Sequence, residues 1–214
     1  EKGYLDFLIR KVGKVTDEIF KLKAGDKVFL RGPYGNGFPI EEYKNKHIVM
    51  VVGGSGIAPV RPIIEYFTKH PEEMKSFKII VGYKNYESVI FEKEFSRWRK
   101  NIEILVTLDN AESARDLGKT EEEFHEGMVT KYIPDLKIEN MDETEFIVVG
   151  PPIMMHFACL EILKLNVPVE KIWVSFERKM SCAVGKCGHC KIDETYICLE
   201  GPVFKYDKAQ KLLD

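Results

Sequence analysis

Four short apolar runs decide most of what this chain can become. "HIVMVVGGSG", "FKIIVGYKN", "IEILVTLD" and "EFIVVGPP" are apolar at nearly every position of their strand-like part. A strand without a polar face has to be covered on both sides, which is the property of a parallel sheet wrapped by helices. Helical stretches separate the runs: "APVRPIIEYFTKH", "IFEKEFSRWRK" and "IMMHFACLEILKL". The prolines of the first fall in its opening turn or so, where a missing N–H costs little. Strand–helix alternation of this kind predicts a doubly wound α/β sheet, with "KIWVSFE" as its last strand.

The residues before the first run read differently. "YLDFLIRKV" (Tyr4–Val12) alternates loosely and is β-rich, which predicts a strand. "VTDEIFKLKAGD" predicts a short helix with Thr16 as N-cap and Ile19, Phe20 and Leu22 as its apolar positions. "KVFLRGPYGNGF" predicts another strand, closed by a turn rich in Gly and Pro. Together these suggest part of a small antiparallel barrel, so the expected class is α/β with a β-barrel part. Length supports more than one compact unit, since 214 residues is long for one ordinary domain. The boundaries fall near Tyr43 and Glu177, giving parts 1–43, 44–176 and 177–214. The chain opens inside a strand-like run without an initiator Met, and an upstream segment is therefore expected.

A net charge of −2 gives no basis for binding nucleic acid. No apolar run has the length of a membrane span and no signal-peptide pattern is present, so the expectation is a cytoplasmic protein without membrane insertion. Thiols stay reduced there, and clustered cysteines then hold metal more often than they bridge each other.

Of the five cysteines, four lie in "MSCAVGKCGHCKIDETYICLEGPVF". Cys182, Cys187, Cys190 and Cys198 are spaced C-x4-C-x2-C-x7-C, and the first three match the plant-type [2Fe–2S] spacing. Thiolates and bridging sulfides accept backbone N–H bonds, so the loop must come close; Ala183, Gly185 and Gly188 keep side chains out of its way. A structural zinc site usually brings two C-x2-C pairs or His partners, and here one such pair stands beside an x4 gap. A redox dithiol would use Cys187 and Cys190 and leave Cys182 and Cys198 idle. The spacing therefore points to a [2Fe–2S] cluster. His189 reads as solvent-facing and Cys159, in an apolar helix, as a core thiol. Lys179, Lys186 and Lys191 flank a centre that is anionic with four thiolates, where they would raise its potential, help a partner dock, or simply be surface charges.

Two strand ends carry glycine. In "VVGGSGIAPV", Gly53, Gly54, Ser55 and Gly56 form a tight turn, and Ala58 and Pro59 open a helix. Backbone N–H groups at such a turn face an anion and suit a pyrophosphate, although a plain tight turn is the competing reading. "VGPPIMM" repeats the theme with Gly150, Pro151, Pro152 and Met154. A doubly wound sheet places its nucleotide at two such edges. "GKVT" (Gly13, Lys14, Val15, Thr16) is a further strand-end and helix-start, although Asp17 and Glu18 already answer part of that helix dipole.

The ordered set "GKVT", "RGPYGNGF", "GGSGIAPV", "VGPP-x-MM", "SFERKMSCAVGKCGHC" and "CLEGPVF" resembles the ferredoxin–NADP reductase superfamily over nearly the whole chain. Its iron–sulfur branch is the most similar part. That branch includes the electron-transfer subunit of dihydroorotate dehydrogenase, the gamma subunit of sulfhydrogenases and the B subunit of anaerobic sulfite reductase. The resemblance implies a flavin barrel, a pyridine-nucleotide domain and a C-terminal [2Fe–2S] lobe. It implies that Gly13–Thr16, with Gly32 of "RGPYGNGF", serve FAD, that NAD(P)H docks over Gly53–Pro59 and Gly150–Met154, and that the four cysteines are the cluster ligands. Two departures stand out. The family's Arg-x-Tyr-Ser flavin motif is not in this sequence, and Val149 occupies the place where many members carry Cys before Gly-Pro-Pro, so no catalytic thiol is assigned there.

The expected function is that of a diaphorase-like electron-transfer subunit linking NAD(P)H, FAD and the cluster to a partner catalytic subunit. A cytoplasmic hydrogenase or sulfhydrogenase, with further iron–sulfur subunits, is the first reading; anaerobic sulfite reductase or dihydroorotate dehydrogenase is the second. Glu177 is a candidate to orient nicotinamide or flavin, against the reading of an ordinary exposed carboxylate. Lys84, Arg115 and Lys119 are candidate contacts for a 2′-phosphate, each against the reading of a solvated charge. From a different class comes the rival of a zinc-stabilised, non-catalytic nucleotide-binding module, which would be colourless.

Overall fold

The computed structural model describes residues 3–120 and 123–212. They form two compact units that meet in sequence at Pro33 and Tyr34. In the first, α1 spans Lys14–Ile19. Its cap differs from the expectation: Gly13, not Thr16, is the N-cap. Thr16 sits at the third helical position, where its hydroxyl accepts the N–H groups of Val12 (2.9 Å) and Gly13 (3.0 Å) and donates to the Gly13 carbonyl (2.9 Å). A polar residue at that position reaches back to the cap, and the helix starts three residues earlier than expected. Phe20 is the C-cap and Leu22 lies beyond the helix. The two strands expected in this unit, Tyr4–Val12 and the run from Lys27, form no ladder. β-propensity describes a fit to a paired surface, and neither run pairs with the other. Their apolar side chains accordingly find no core: Phe29 is 96% and Tyr4 82% exposed.

The second unit is the predicted α/β sheet. Its elements in order are β1 (His47–Gly53), α2 (Ile57–Lys69), β2 (Ser76–Tyr83), α3 (Glu92–Trp98), β3 (Glu103–Leu108), α4 (Glu112–Asp116) and β4 (His125–Glu126), then β5 (Thr144–Val149), α5 (Pro152–Lys164), β6 (Ile172–Ser175), β7 (Lys191–Ile192), β8 (Thr195–Tyr196), α6 (Ile197–Glu200), β9 (Val203–Lys205) and α7 (Tyr206–Ala209). Seven strands pair in the order β4-β3-β2-β1-β5-β6-β9. All pairs are parallel except β6 with β9. Period-two alternation sorts β1 onto two cores. Ile48, Met50 and Val52 face Ile57, Ile64 and Phe67 of α2 and Trp98 of α3, whereas Val49 and Val51 face the core of Met155, Ala158 and Ile162 of α5. In α2, Pro59 lies in the first turn, but Pro62 sits past it, inside the helix.

Successive strands step away from β1 on one side through β2 to β4, and the chain then returns to place β5 on β1's other side. The β1/β5 boundary is thus the switch point of the sheet, and the crevice beyond the strands' C-terminal ends is where such folds take ligands. The opposite edge is closed by charge. Glu145 on β5 is 3% exposed and accepts from Lys46 (2.7 Å), Lys171 (3.3 Å) and the Trp173 indole N–H (2.8 Å). Burial, with Glu145's charge beside it, holds the Tyr43 hydroxyl well above its ordinary pKa.

Two observations tie residues 34–43 to this unit and not to the first. The Asn36 N–H donates to the Gly201 carbonyl at 2.6 Å, and Tyr43 packs edge-on to Trp173 with ring centroids 5.7 Å apart. Among the described residues no helix is long and apolar enough to cross a membrane.

Candidate cluster and nucleotide site

The four clustered cysteines lie on the connection from β6 to β9. Because β9 runs back antiparallel from Val203, opposite Ser175, this connection leaves and rejoins the sheet at β6's C-terminal end. β1, β5 and β6 are parallel, so the cysteine segment and the two glycine turns share one edge of the sheet.

Within the segment the chain folds around its sulfurs. Ala183, Gly185 and Gly188 all have left-handed φ values (56°, 67° and 77°). These bends aim backbone donors inward: the N–H groups of Val184, Lys186 and Cys187 each reach Cys182 Sγ at 3.4 Å, and that of Gly185 reaches Cys198 Sγ at 3.3 Å. A Cβ at Gly185 would lie 2.4 Å from Leu199 Cδ1, and its φ of +67° favours glycine there.

The sulfurs are arranged as two pairs. Cys182 interacts most directly with Cys187, and Cys198 with Cys190. Cys187 is exposed and Cys182 half-buried, while Cys190 and Cys198 are buried. Tetrahedral zinc would hold four sulfurs mutually about 3.8 Å apart, as Zn–S bonds of about 2.3 Å dictate. No three of these sulfurs lie within 4.8 Å of one another; among the described residues only His70, Glu72 and Glu73 meet that spacing. Two pairs of thiolates under a canopy of N–H donors fit a two-iron cluster, each iron taking one pair. His189 is exposed and Cys159 is wholly buried in α5, as expected of a bystander and a core thiol.

Local fields differ between the pairs. The His189 backbone N–H, followed by hydrogen bonds involving Cys182, brings the Cys187 thiol down to about 7. Backbone N–H groups, Val184's foremost, also lower Cys182, whereas burial raises Cys198. Burial pushes Cys159 up to about 12. In the iron-free protein the alkylation rate of Cys187 should therefore rise as pH passes about 7 and level off above it, because the thiolate is the nucleophile. Cys159 should stay unmodified until the chain unfolds. Peptide mass spectrometry after iodoacetamide treatment reads both; a Cys187 rate that begins to rise only above about pH 8.5, the value of a free thiol, would contradict the described field.

At the β1/β5 switch the glycines answer to one another. A Cβ at Gly56 would lie 2.7 Å from the Val149 carbonyl oxygen, and one at Gly150 would lie 3.0 Å from the Gly53 nitrogen. The strand ends are thus close-packed backbone to backbone. Gly54 has φ +53° and nothing within 4 Å of its Cβ position, so it borders open space. Ser55, Pro59, Pro151 and Pro152 are exposed there, with Ala58 and Met154 half-buried. Open space, glycine backbone and the start of the thirteen-residue helix α2 fit a dinucleotide's phosphates. Glu177 follows β6 at the same edge and is exposed. Of the candidate phosphate cations, Arg115 is engaged by Glu126, and Lys119 by Glu92 (3.1 Å) and Glu123 (3.3 Å); Lys84 is exposed. Lys191 is engaged by Glu194 at 2.9 Å. In the first unit, Gly13, Lys14 and Val15 are exposed at the start of α1, and Gly32 precedes the unit's last residue. The Thr16 hydroxyl is occupied by the cap, so backbone groups of this turn are what a flavin diphosphate would meet.

Sequence reasoning did not find Asn36, whose side chain and backbone both bond to the segment after Cys198. The signal was there in "GPYGNGF", where the sequence reading assigned a role to Gly32 alone.

Comparison with known proteins agrees with this geometry. Residues 50–160 match the family described as the oxidoreductase NAD-binding domain, and residues 177–210 the iron–sulfur cluster binding domain of dihydroorotate dehydrogenase B. The gamma subunit of sulfhydrogenase 2 from Pyrococcus furiosus is 32% identical over 94% of this chain and 73% of its own length. A probable dihydroorotate dehydrogenase B electron transfer subunit from Methanocaldococcus jannaschii is 34% identical over 95% of this chain and 71% of its own length. Among solved structures, the NADH-dependent reduced ferredoxin–NADP oxidoreductase superposes with a TM-score of 0.67 at 27% identity, covering 96% of this chain and 70% of that one. The chain is an NAD(P)-, flavin- and iron–sulfur-type oxidoreductase subunit, and it belongs to the iron–sulfur branch of the ferredoxin–NADP reductase superfamily.

Proposed function

We propose that this chain carries electrons between NAD(P)H and a partner catalytic subunit, with the work divided over the part up to Pro33 for flavin, the sheet up to residue 176 for nucleotide and residues 177–214 for the cluster. The boundary expected near Tyr43 moves to Pro33, because residues 34–43 pack on the second unit. Nicotinamides exchange electrons as hydride and iron–sulfur clusters one at a time, and bound FAD supplies the conversion. Gly53–Gly56 with Ala58 and Pro59, and Gly150–Pro152 with Met154, receive the dinucleotide at the switch crevice. Gly13–Thr16 and Gly32 serve the flavin diphosphate. Cys182 and Cys187 take one iron and Cys190 and Cys198 the other. Glu177 orients the nicotinamide or flavin from the end of β6.

One observation carries the reading: the paired sulfurs and both glycine turns project from a single sheet edge. The cytoplasm, where thiols stay reduced, suits such a segment. For the partner we infer a hydrogenase-type catalytic subunit with further iron–sulfur subunits. Identities of 32% to a sulfhydrogenase gamma subunit and 34% to a dihydroorotate dehydrogenase electron transfer subunit keep the second partner in view, beside anaerobic sulfite reductase. The holoprotein with Cys187→Ser tests the division of labour. NAD(P)H should still bleach the bound flavin at close to the wild-type rate, while transfer to the partner stops. Loss of flavin reduction in a folded variant would overturn it.

A further inference from the structure

Beyond Gly32, the residues of "GPYGNGF" make contacts across more than 160 positions of sequence. Asn36 Nδ2 donates to the Leu199 carbonyl at 3.2 Å and to the Glu200 carbonyl at 3.1 Å. Its backbone N–H donates to the Gly201 carbonyl at 2.6 Å, and its own carbonyl accepts from the Val203 N–H at 3.3 Å. Gly35 beside it has φ +72°, and a Cβ there would lie 2.1 Å from the Gly201 oxygen, so glycine alone permits the approach.

The recipient of these bonds is α6, a single turn of four residues, Ile197–Glu200, that carries Cys198. One turn has almost no cooperative stability of its own, and its last carbonyls lack helical partners. Asn36 gives two of those carbonyls a donor each. The same turn holds the site together from below: the Leu199 side chain covers Gly185, whose N–H donates to Cys198 Sγ.

We propose that Asn36 is a positioning residue for the cluster site, fixing the place of the Cys198 sulfur by tying the turn that carries it to the Tyr34–Phe38 loop. The inference rests on the reading of Cys198 as an iron ligand. Asn is suited to the task because one NH2 group offers both donors. Aspartate, of the same shape, would turn acceptor oxygens onto two carbonyl oxygens, and alanine would remove the side-chain tie while leaving both backbone bonds.

The test uses the full chain with its cluster. Asn36→Ala and Asn36→Asp should release iron to a chelator about ten- to a hundredfold faster than wild type, the range expected when an outer-shell partner of a metal ligand is lost. Aspartate should be the faster, and the visible circular dichroism of the cluster should change in both. Thermal unfolding of the second unit serves as the control. Asn36 is exposed, so the alanine variant keeps the fold. It decides the matter if the aspartate variant does not fold. Wild-type iron release and an unchanged spectrum in folded Asn36→Ala would overturn the proposal. Cys198→Ala, run in parallel, separates the two ideas: a full complement of iron in that variant would defeat the ligand reading itself.

Discussion

Replacing Cys198 by alanine should abolish electron transfer to the partner and leave less iron bound than the roughly hundredfold affinity loss of an outer-shell defect would. The size of the effect follows from where the sulfur sits. Cys198 is 1% exposed, paired with Cys190, and is the acceptor for the Gly185 N–H. No water can reach in to replace a buried ligand, and a canopy built to face anionic sulfur is left facing a methyl group. Cys187→Ala should be milder in iron retention, because Cys187 is exposed and its place is open to a substitute ligand from solvent. Iron per chain and turnover with the partner read the difference. Equal retention in both variants would mean that burial of the second pair is irrelevant to holding the cluster.

The second large effect lies at the other edge of the sheet and concerns stability alone. Glu145→Ala should lower stability by about 3 kcal/mol, the low end for breaking a buried pair because Lys46 and Lys171 keep 29% and 23% of their side chains in solvent. For a chain of this length that is a fall of roughly 6–12 °C in Tm. Alanine takes the carboxylate from both ammonium groups and leaves Lys46 and the Trp173 N–H without the acceptor they have, while Lys171 keeps the Asp142 carbonyl (2.8 Å); Glu145→Gln keeps one acceptor for the indole and should lose less. Nothing at the cluster should change in either variant, since β5 separates Glu145 from the glycine edge. Thermal denaturation of both variants checks the order. If each stays within about 0.5 kcal/mol of wild type, the carboxylate is solvated in a way that its burial contradicts.

How much of this was legible in the residues depends on whether the cause was local. The sheet was, because buried parallel strands have to be apolar on both faces and "HIVMVV" can be little else. The gathering of the four clustered cysteines was, because residues close together on one connection stay close whatever the rest of the chain does. Thr16 was misplaced as a cap by three residues because a hydroxyl at the third helical position leaves the same sequence trace as one at the cap. Tyr4–Val12 and the run from Lys27 were read as strands from composition, but a ladder is a property of two segments, and the partner is not written in either. The pairing of Cys190 with Cys198 and the tie from Asn36 to the turn after Cys198 depend on β9 returning beside β6, an antiparallel step that no periodicity announces. Glycines 53, 56 and 150 were read as a phosphate cradle or a plain tight turn; that they also let two strand ends touch depends on β5 lying beside β1, which neither motif shows by itself.

The central claim is that the four thiols divide between two irons, and metal analysis of the anaerobically purified protein tests it most directly. About two irons and two acid-labile sulfides per chain, in a brown protein without zinc, is the predicted result. One zinc, no sulfide and no colour would contradict it.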